Sequence, residues 1–269
     1  MYFMFVLGRP IKECQEDLGW FLRELKSFRN VGAGFWYKPF QDALDLLSRG
    51  FDEKRYEEFM GREWFVEEEF YEGPEKTFDV WTNFVHLMIV TVLGDPRSQQ
   101  EVAERCKYLL KRPIYGPDLA SAYLWDALAA VSVYPTEKFL TRRKLRRLIR
   151  FRLRAIKSFT FYSRNFTHGK ADLLKAELAS LSNSDHHATV LLYEASIALS
   201  ASANLLLDEG IAAERAGRFL VRSGQDSESV GYFDRAIGAY ERYGARAKTE
   251  KLSREVSLLC KAGNRVPCA

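Results

Sequence analysis

Apolar residues recur at every third or fourth position along almost the whole chain. The clearest early example lies between positions 10 and 28, where this spacing places the apolar side chains on one face of a helix. These side chains are Ile11, Cys14, Leu18, Phe21, Leu22 and Leu25. No segment alternates apolar and polar residues with the period of two that is typical of a β-strand. The pattern therefore predicts an all-α fold.

Glycine and proline divide this pattern into separate helices, because neither residue continues a helix well. Clear breaks occur at Gly73-Pro74 and between Gly94 and Pro96. Acidic residues dominate the segment 49–72, and no helix is assigned there. The predicted helices span 10–28, 35–47, 75–92, 98–111, 118–133, 136–162, 167–181, 186–202, 204–223, 226–243 and 245–261.

Small and large residues follow a fixed register between positions 214 and 240. The register consists of Gly217, Leu220, Gly224, Phe233 and Ala236, and Tyr193 and Ser196 occupy the positions forty residues before the last two. The first glycine suits a point where two helices cross closely, and the second suits the break between them. The aromatic residue and the alanine then pack back onto the first helix. This order of sizes is typical of a tetratricopeptide-like helical hairpin.

Five short runs extend this likeness, at 165–170, 173–178, 193–197, 214–219 and 240–248. They resemble the tetratricopeptide-like region of large multidomain signalling proteins. Those proteins also contain a serine/threonine-kinase-like domain, an AAA-type ATPase module, a sensor domain and often a histidine kinase. The resemblance covers most of the chain and is strongest from 160 to 252. The sequence departs from the family pattern at Ser229, where alanine is usual, and at Tyr243, where tryptophan is usual.

The resemblance implies a right-handed stack of antiparallel helix pairs. Degenerate helical hairpins would occupy residues 1–134, and tetratricopeptide-like repeats would occupy residues 135–269, continuous with the first part as one solenoid. It also implies a non-catalytic scaffold in signal transduction, which binds a protein partner or adjacent signalling domains. Partners would meet the concave face of the stack or a groove between repeats.

The motifs of the catalytic domains in such signalling proteins are absent from the sequence. It has no GxxxxGK[ST] loop to hold nucleotide phosphates, and no HRD or DFG trio of a protein kinase. His186 and His187 could begin a metal site, but neighbouring helix positions point apart. Asp185 more plausibly caps the following helix. We therefore expect no catalysis, no cofactor and no metal.

The segment 142–157 is the one candidate interaction surface that composition indicates. Nine of its sixteen residues are basic, with apolar residues between them at helical spacing. The candidate residues are Arg142, Arg143, Lys144, Arg146, Arg147, Arg150 and Arg154. An acidic partner protein, an anionic membrane and nucleic acid would each suit such a helix. The favoured interpretation is that the apolar face packs inside and the basic face is solvated or pairs with the acidic segment 52–75.

Composition also limits where the protein is expected in the cell and which class of partner it is expected to bind. The net charge is +4, from 40 basic and 36 acidic residues, which is too small to indicate a nucleic-acid binder by itself. The four cysteines form no CxxC pair, which favours reduced thiols in a cytoplasmic protein. The longest apolar run, 84–93, is interrupted by His86 and is too short to span a membrane, which takes about 20 residues.

Overall fold

A computed structural model describes residues 8–27, 37–62, 77–94, 96–106, 117–161, 164–182 and 185–263. Every regular element within these ranges is helical, which confirms the all-α prediction for them. The α-helices are α1 (Ile11–Ser27), α2 (Lys38–Ser48), α3 (Glu53–Met60), α4 (Thr77–Leu93), α5 (Pro96–Cys106), α6 (Pro117–Val133), α7 (Phe139–Ser158), α8 (Arg164–Ser180), α9 (His186–Ser202), α10 (Leu206–Arg222), α11 (Asp226–Tyr243) and α12 (Arg246–Gly263). None of these helices is long and apolar enough to cross a bilayer.

Helix α3 was not predicted from the sequence. Asp52 caps it by accepting a hydrogen bond from the Arg55 N–H at 2.9 Å, and Tyr56 and Phe59 are buried on one side. Two apolar side chains three positions apart give a short acidic segment enough contact with the core to become helical. The rest of the acidic segment, from residue 63 onward, lies outside the described residues. So do positions 107–111 of the helix predicted at 98–111.

Helices α9, α10 and α11 end in the same kind of turn at intervals of twenty residues. In each turn a backbone N–H donates back to the carbonyl five residues earlier at 2.9 Å. These bonds run from Leu205 to Ser200, from Gln225 to Leu220 and from Ala245 to Tyr240. The residue before each donor has a positive φ: 54° at Asn204, 74° at Gly224 and 89° at Gly244. Such left-handed residues end helices by satisfying carbonyls of the last turn.

The helix pairs α8–α9 and α10–α11 bury equivalent positions forty residues apart. Tyr193 and Phe233 are both buried, and so are Ser196 and Ala236, one turn further along each second helix. Consecutive helices from α6 to α12 are in contact, and the short turns make the neighbours antiparallel. The contacts are those expected in a helical bundle.

Glycine allows the first and second helices of these pairs to approach closely. A Cβ atom at Gly217 would lie 3.0–3.1 Å from three ring carbons of Phe233. At Gly210 the approach is closer, because a Cβ atom would lie 2.6 Å from the Tyr240 ring. The sequence register included Gly217 but not Gly210, although both lie on the face of α10 that meets α11.

The last helix packs against the first third of the chain. The Phe51 N–H donates to the Glu250 carboxylate at 3.1 Å, and the Lys251 ammonium donates to the Leu93 carbonyl. Gly244 lies against Ile11. One hydrophobic core accordingly includes buried residues from α1 through α12. The proposed division at residue 134 stays a prediction, and this core joins both of its parts.

We predict that Gly217→Leu lowers the free energy of unfolding by about 1–3 kcal/mol, because the new side chain overpacks the Phe233 ring. Gly231→Leu is the matched control, since a Cβ atom there meets nothing within 4 Å. The control should be neutral or stabilising, because leucine favours helix more than glycine does. Urea unfolding of both variants measures the difference. Equal midpoints would show that α10 and α11 do not cross at Gly217.

Candidate functional site

The predicted basic helix is α7, and its apolar side faces the interior. Ile149 and Ile156 are completely buried, and Leu145, Leu148 and Leu153 pack against the core while partly exposed. The helix therefore uses its apolar stripe for folding. The prediction that this stripe packs inside the protein is confirmed.

One of the nine basic residues also lies inside. Arg152 is 7% exposed, and its Nε donates to the Asp126 carboxylate on α6 at 2.7 Å. Its guanidinium lies 4.7 Å from the centre of the Tyr123 ring. A buried charge requires such a partner, and this pair joins α7 to α6. Arg152 therefore has a structural role between α7 and α6.

Two members of the candidate surface are partly buried. The Arg142 guanidinium donates to the carbonyls of Tyr134 and Pro135, at 3.1 and 2.5 Å, and so holds the turn before α7. The Nε atom of Arg146 is buried without a hydrogen-bond partner among the described residues. Neither side chain is fully available to an external partner.

The other five candidates form an exposed stripe along α7. Arg143, Lys144, Arg147, Arg150 and Arg154 are all exposed, and none forms an ion pair within the part of the chain that the structure describes. In particular, the described part of the acidic segment, residues 52–62, makes no ion pair with them. The helix itself contains no acidic residue. The charged groups of these five side chains are therefore exposed to solvent.

Large apolar side chains lie on the same exposed side. Phe139 is 77% exposed, Leu140 69% and Phe151 57%. We call these three residues, together with Arg143, Lys144, Arg147, Arg150, Arg154 and Lys157, the basic face. Its combination of unpaired cations with exposed aromatic rings is unusual for a surface that only meets water.

The repeat-packing residues form a separate set inside the protein. Tyr193, Leu220, Phe233 and Ala236 are 2% exposed or less, and they lie on α9, α10 and α11. Gly217 lies in the same interior, and Gly224 lies in the turn after α10. None of them is part of α7, so the two sets of predicted site residues do not form one site.

The two adjacent histidines lie at the start of α9, beside the Asp185 cap. The Asp185 carboxylate accepts the His187 N–H at 2.9 Å and caps α9, as the sequence indicated. The His186 ring stacks on Phe219 with ring centres 5.0 Å apart. Among the described residues no group of three potential metal ligands occurs.

A buried network of charges, which sequence reasoning did not find, joins α8, α10 and α12. The Glu214 carboxylate accepts from Lys248 and Tyr240 at 2.8 Å each, and from Arg218 at 2.8 Å. Burial opposes ionisation of Glu214, but the charges of Lys248 and Arg218 outweigh it and lower its pKa to about 2. The i, i+4 spacing of Glu214 and Arg218 was the only signal of this network in the sequence.

Two further ion pairs connect α8 to α10. Arg215 donates to Glu177 at 2.7 Å, and the fully buried Lys170 pairs with Asp208. The Lys170 ammonium also lies 3.6 Å from the centre of the Phe166 ring. Burial lowers the pKa of Lys170, and the charge of Asp208 opposes that effect. Each buried cation thus has an anion on the neighbouring hairpin.

No protein-family model, curated protein or solved structure matches this chain. Its function therefore has to be inferred from the arrangement of its own residues.

We predict that the basic face is not needed for folding. Replacing Arg143, Arg147 and Arg150 with Gln should change the free energy of unfolding by less than about 1 kcal/mol, because exposed unpaired charges contribute little. Ile149→Ala on the same helix should cost about 2–4 kcal/mol, because it leaves a cavity in the core. Urea denaturation compares the two. A large loss in the arginine variant would contradict the exposed position of these residues.

We also predict that Glu214 makes stability depend on pH between about 4.5 and 2. A carboxylate with a lowered folded pKa stabilises the fold fully above its unfolded pKa, and this stabilisation of about 3 kcal/mol is lost as the pH falls through that range. Glu214→Gln should therefore be less stable than wild type at pH 6. The difference should shrink towards pH 2. A difference that is independent of pH would show that Glu214 is not ionised in the fold.

Proposed function

We propose that the protein is a non-catalytic helical scaffold in which α8 to α12 stack as tetratricopeptide-like repeats. Three features support the repeat: equivalent buried positions forty residues apart, identical helix ends every twenty residues, and glycines where paired helices cross. Stacked hairpins of this kind present extended surfaces on a rigid frame. The absence of nucleotide-binding and kinase motifs from the sequence fits a role in binding rather than catalysis.

The basic face of α7 is the surface that we propose for the partner, and its six exposed cations, which form no ion pair within the described residues, carry the proposal. Arginine and aromatic side chains contribute most to the binding energy at protein interfaces. Arg147 and Arg150 lie within one turn of the exposed Phe151 and so offer both kinds of contact. The partner that complements this surface is an acidic protein or an adjoining acidic signalling domain.

The buried side of α7 limits how the helix can bind. An amphipathic helix enters a membrane or a peptide-binding clamp with its apolar side. In α7 that side includes Ile149 and Ile156, which are completely buried in the core. Only the cationic side, with its few apolar residues, is available. This geometry favours a folded acidic surface over insertion into a bilayer.

A second candidate function is electrostatic binding of nucleic acid or of an anionic membrane surface. Such binding needs cations and does not need the apolar side of α7. The exposed Phe139 and Leu140 at the start of α7 favour it, because apolar side chains beside cations anchor proteins at lipid headgroups. The two candidates differ in how strongly salt weakens binding.

We predict that the basic face binds an acidic protein and that this binding requires its arginine side chains. Three probes test it: an aspartate- and glutamate-rich peptide with interspersed leucines, phosphatidylserine vesicles, and duplex DNA. The variant replaces Arg143, Arg147 and Arg150 with Gln. The control replaces Arg49, Lys54 and Arg254, whose side chains are 60%, 85% and 67% exposed elsewhere, so that net charge is equal.

At physiological salt, the wild type and the control should bind the acidic peptide, and the arginine variant should bind it at least about tenfold more weakly, as the loss of 1.4 kcal/mol would give. Binding of vesicles or DNA that persists at this salt and requires the same arginines would favour the second candidate. Equal binding by the arginine variant and the control would refute the basic face as the site.

A further inference from the structure

A cavity of about 360 Å³ lies among helices α4, α5, α6, α10 and α12. Most of its lining comes from these helices, with further residues from adjoining turns. The lining residues from α4 to α6 are largely apolar and include Leu93, Leu128 and Val131, and Ile211 of α10 adds to them. The volume falls within the range of sites that bind small molecules, about 300–1,000 Å³.

The lining residues of α10 and α12 carry an excess of positive charge. Arg215, Arg218 and Arg222 line it from α10, and Lys248 and Lys251 line it from α12. On both helices the charged residues are spaced three and then four positions apart, so they share one face. Their carboxylate neighbours in the lining are Glu214 and Glu255.

Only three of these five cations form ion pairs within the described residues. Arg215 pairs with Glu177, Arg218 pairs with both Glu214 and Glu255, and Lys248 pairs with Glu214. Arg222 and Lys251 pair with no carboxylate among the described residues. Five cations therefore face three carboxylates, which leaves the cavity two positive charges in excess.

Two buried polar atoms at this cavity also lack a hydrogen bond to the described chain. One is the donor atom Nη2 of Arg215. The other is the acceptor atom Oε1 of Gln99, a residue that is only 7% exposed. Buried polar atoms are nearly always satisfied, because an unmade hydrogen bond is costly. One unsatisfied donor, on Arg215, and one unsatisfied acceptor, on Gln99, therefore belong to residues that line the cavity.

We propose that this cavity binds a small organic anion, with a carboxylate or phosphate group against Arg215, Arg222 and Lys251 and a short apolar body against Leu128 and Val131. An oxyanion accepts hydrogen bonds from guanidinium and ammonium groups and neutralises the excess charge. The apolar wall makes an organic anion a better ligand than a bare inorganic ion. This site is separate from the basic face and does not depend on the proposed scaffold function.

Four small molecules test the charged group and the apolar body of the proposed ligand separately. Hexanoate and hexyl phosphate carry both parts, hexanol lacks the charge, and inorganic phosphate lacks the apolar body. We predict saturable calorimetric binding of at least one hexyl anion to the full chain, and at least tenfold weaker binding of hexanol and inorganic phosphate. The tighter of the two hexyl anions identifies the head group.

The double variant Arg222→Gln with Lys251→Gln removes the two cations that have no carboxylate partner, and it leaves the buried pairs intact. We expect it to bind the hexyl anion at least tenfold more weakly than wild type. The control, Arg143→Gln with Arg147→Gln, loses the same charge on α7 and should bind like wild type. Circular dichroism checks that both variants are folded.

Three results would overturn the proposal. These are no saturable binding of either hexyl anion, equal binding by the cavity variant and the control, and binding of inorganic phosphate as tight as that of hexyl phosphate. None of them depends on whether the basic face binds a protein, because the α7 variant is tested separately.

Discussion

The pairing of buried charges between successive helix pairs determines how the second half of this protein packs. Helices α8, α10 and α12 are joined by Lys170–Asp208, Glu177–Arg215 and Glu214–Lys248. A charge without its partner would be strongly unfavourable in this interior. A shift of one helix along the next would separate these charges, so the pairs disfavour other registers of the helices.

Close packing adds a second constraint in the same region. Glycines at the crossings let aromatic rings of the second helix lie directly on the backbone of the first, as Phe233 does on Gly217 and Tyr240 on Gly210. Tyr240 connects the two constraints, because its ring packs on Gly210 and its hydroxyl donates to Glu214. The polar network and the steric register therefore fix the same arrangement of α10 and α11.

The protein carries two cationic regions with different surroundings. On α7 the cations are exposed, and water stabilises them without partners, so they are free to meet an anionic macromolecule. In the cavity the cations lie beside carboxylates and an apolar wall, and all but Arg222 are at least partly buried, so water screens their charge less than on α7. The first region suits a large acidic surface, and the second suits a small anion.

The sequence by itself determined the helices of this protein, because helical periodicity depends on residues three and four positions apart and is visible without the fold. It also indicated the inner stripe of α7, the cap at Asp185 and the register around Gly217. It missed α3, whose two core side chains are surrounded by acidic residues, and Gly210, which precedes the recognised register.

Only the tertiary structure decided which charges are buried, paired or free. Helical spacing places Arg152 on the face of Ile149 and Ile156 and Arg150 on the other side, but only the structure shows that Arg152 pairs with Asp126 in the core. The cavity could not be foreseen for the same reason. Most of its lining comes from two distant parts of the chain, α4 to α6 and α10 with α12, and their proximity results from long-range packing rather than from any local pattern.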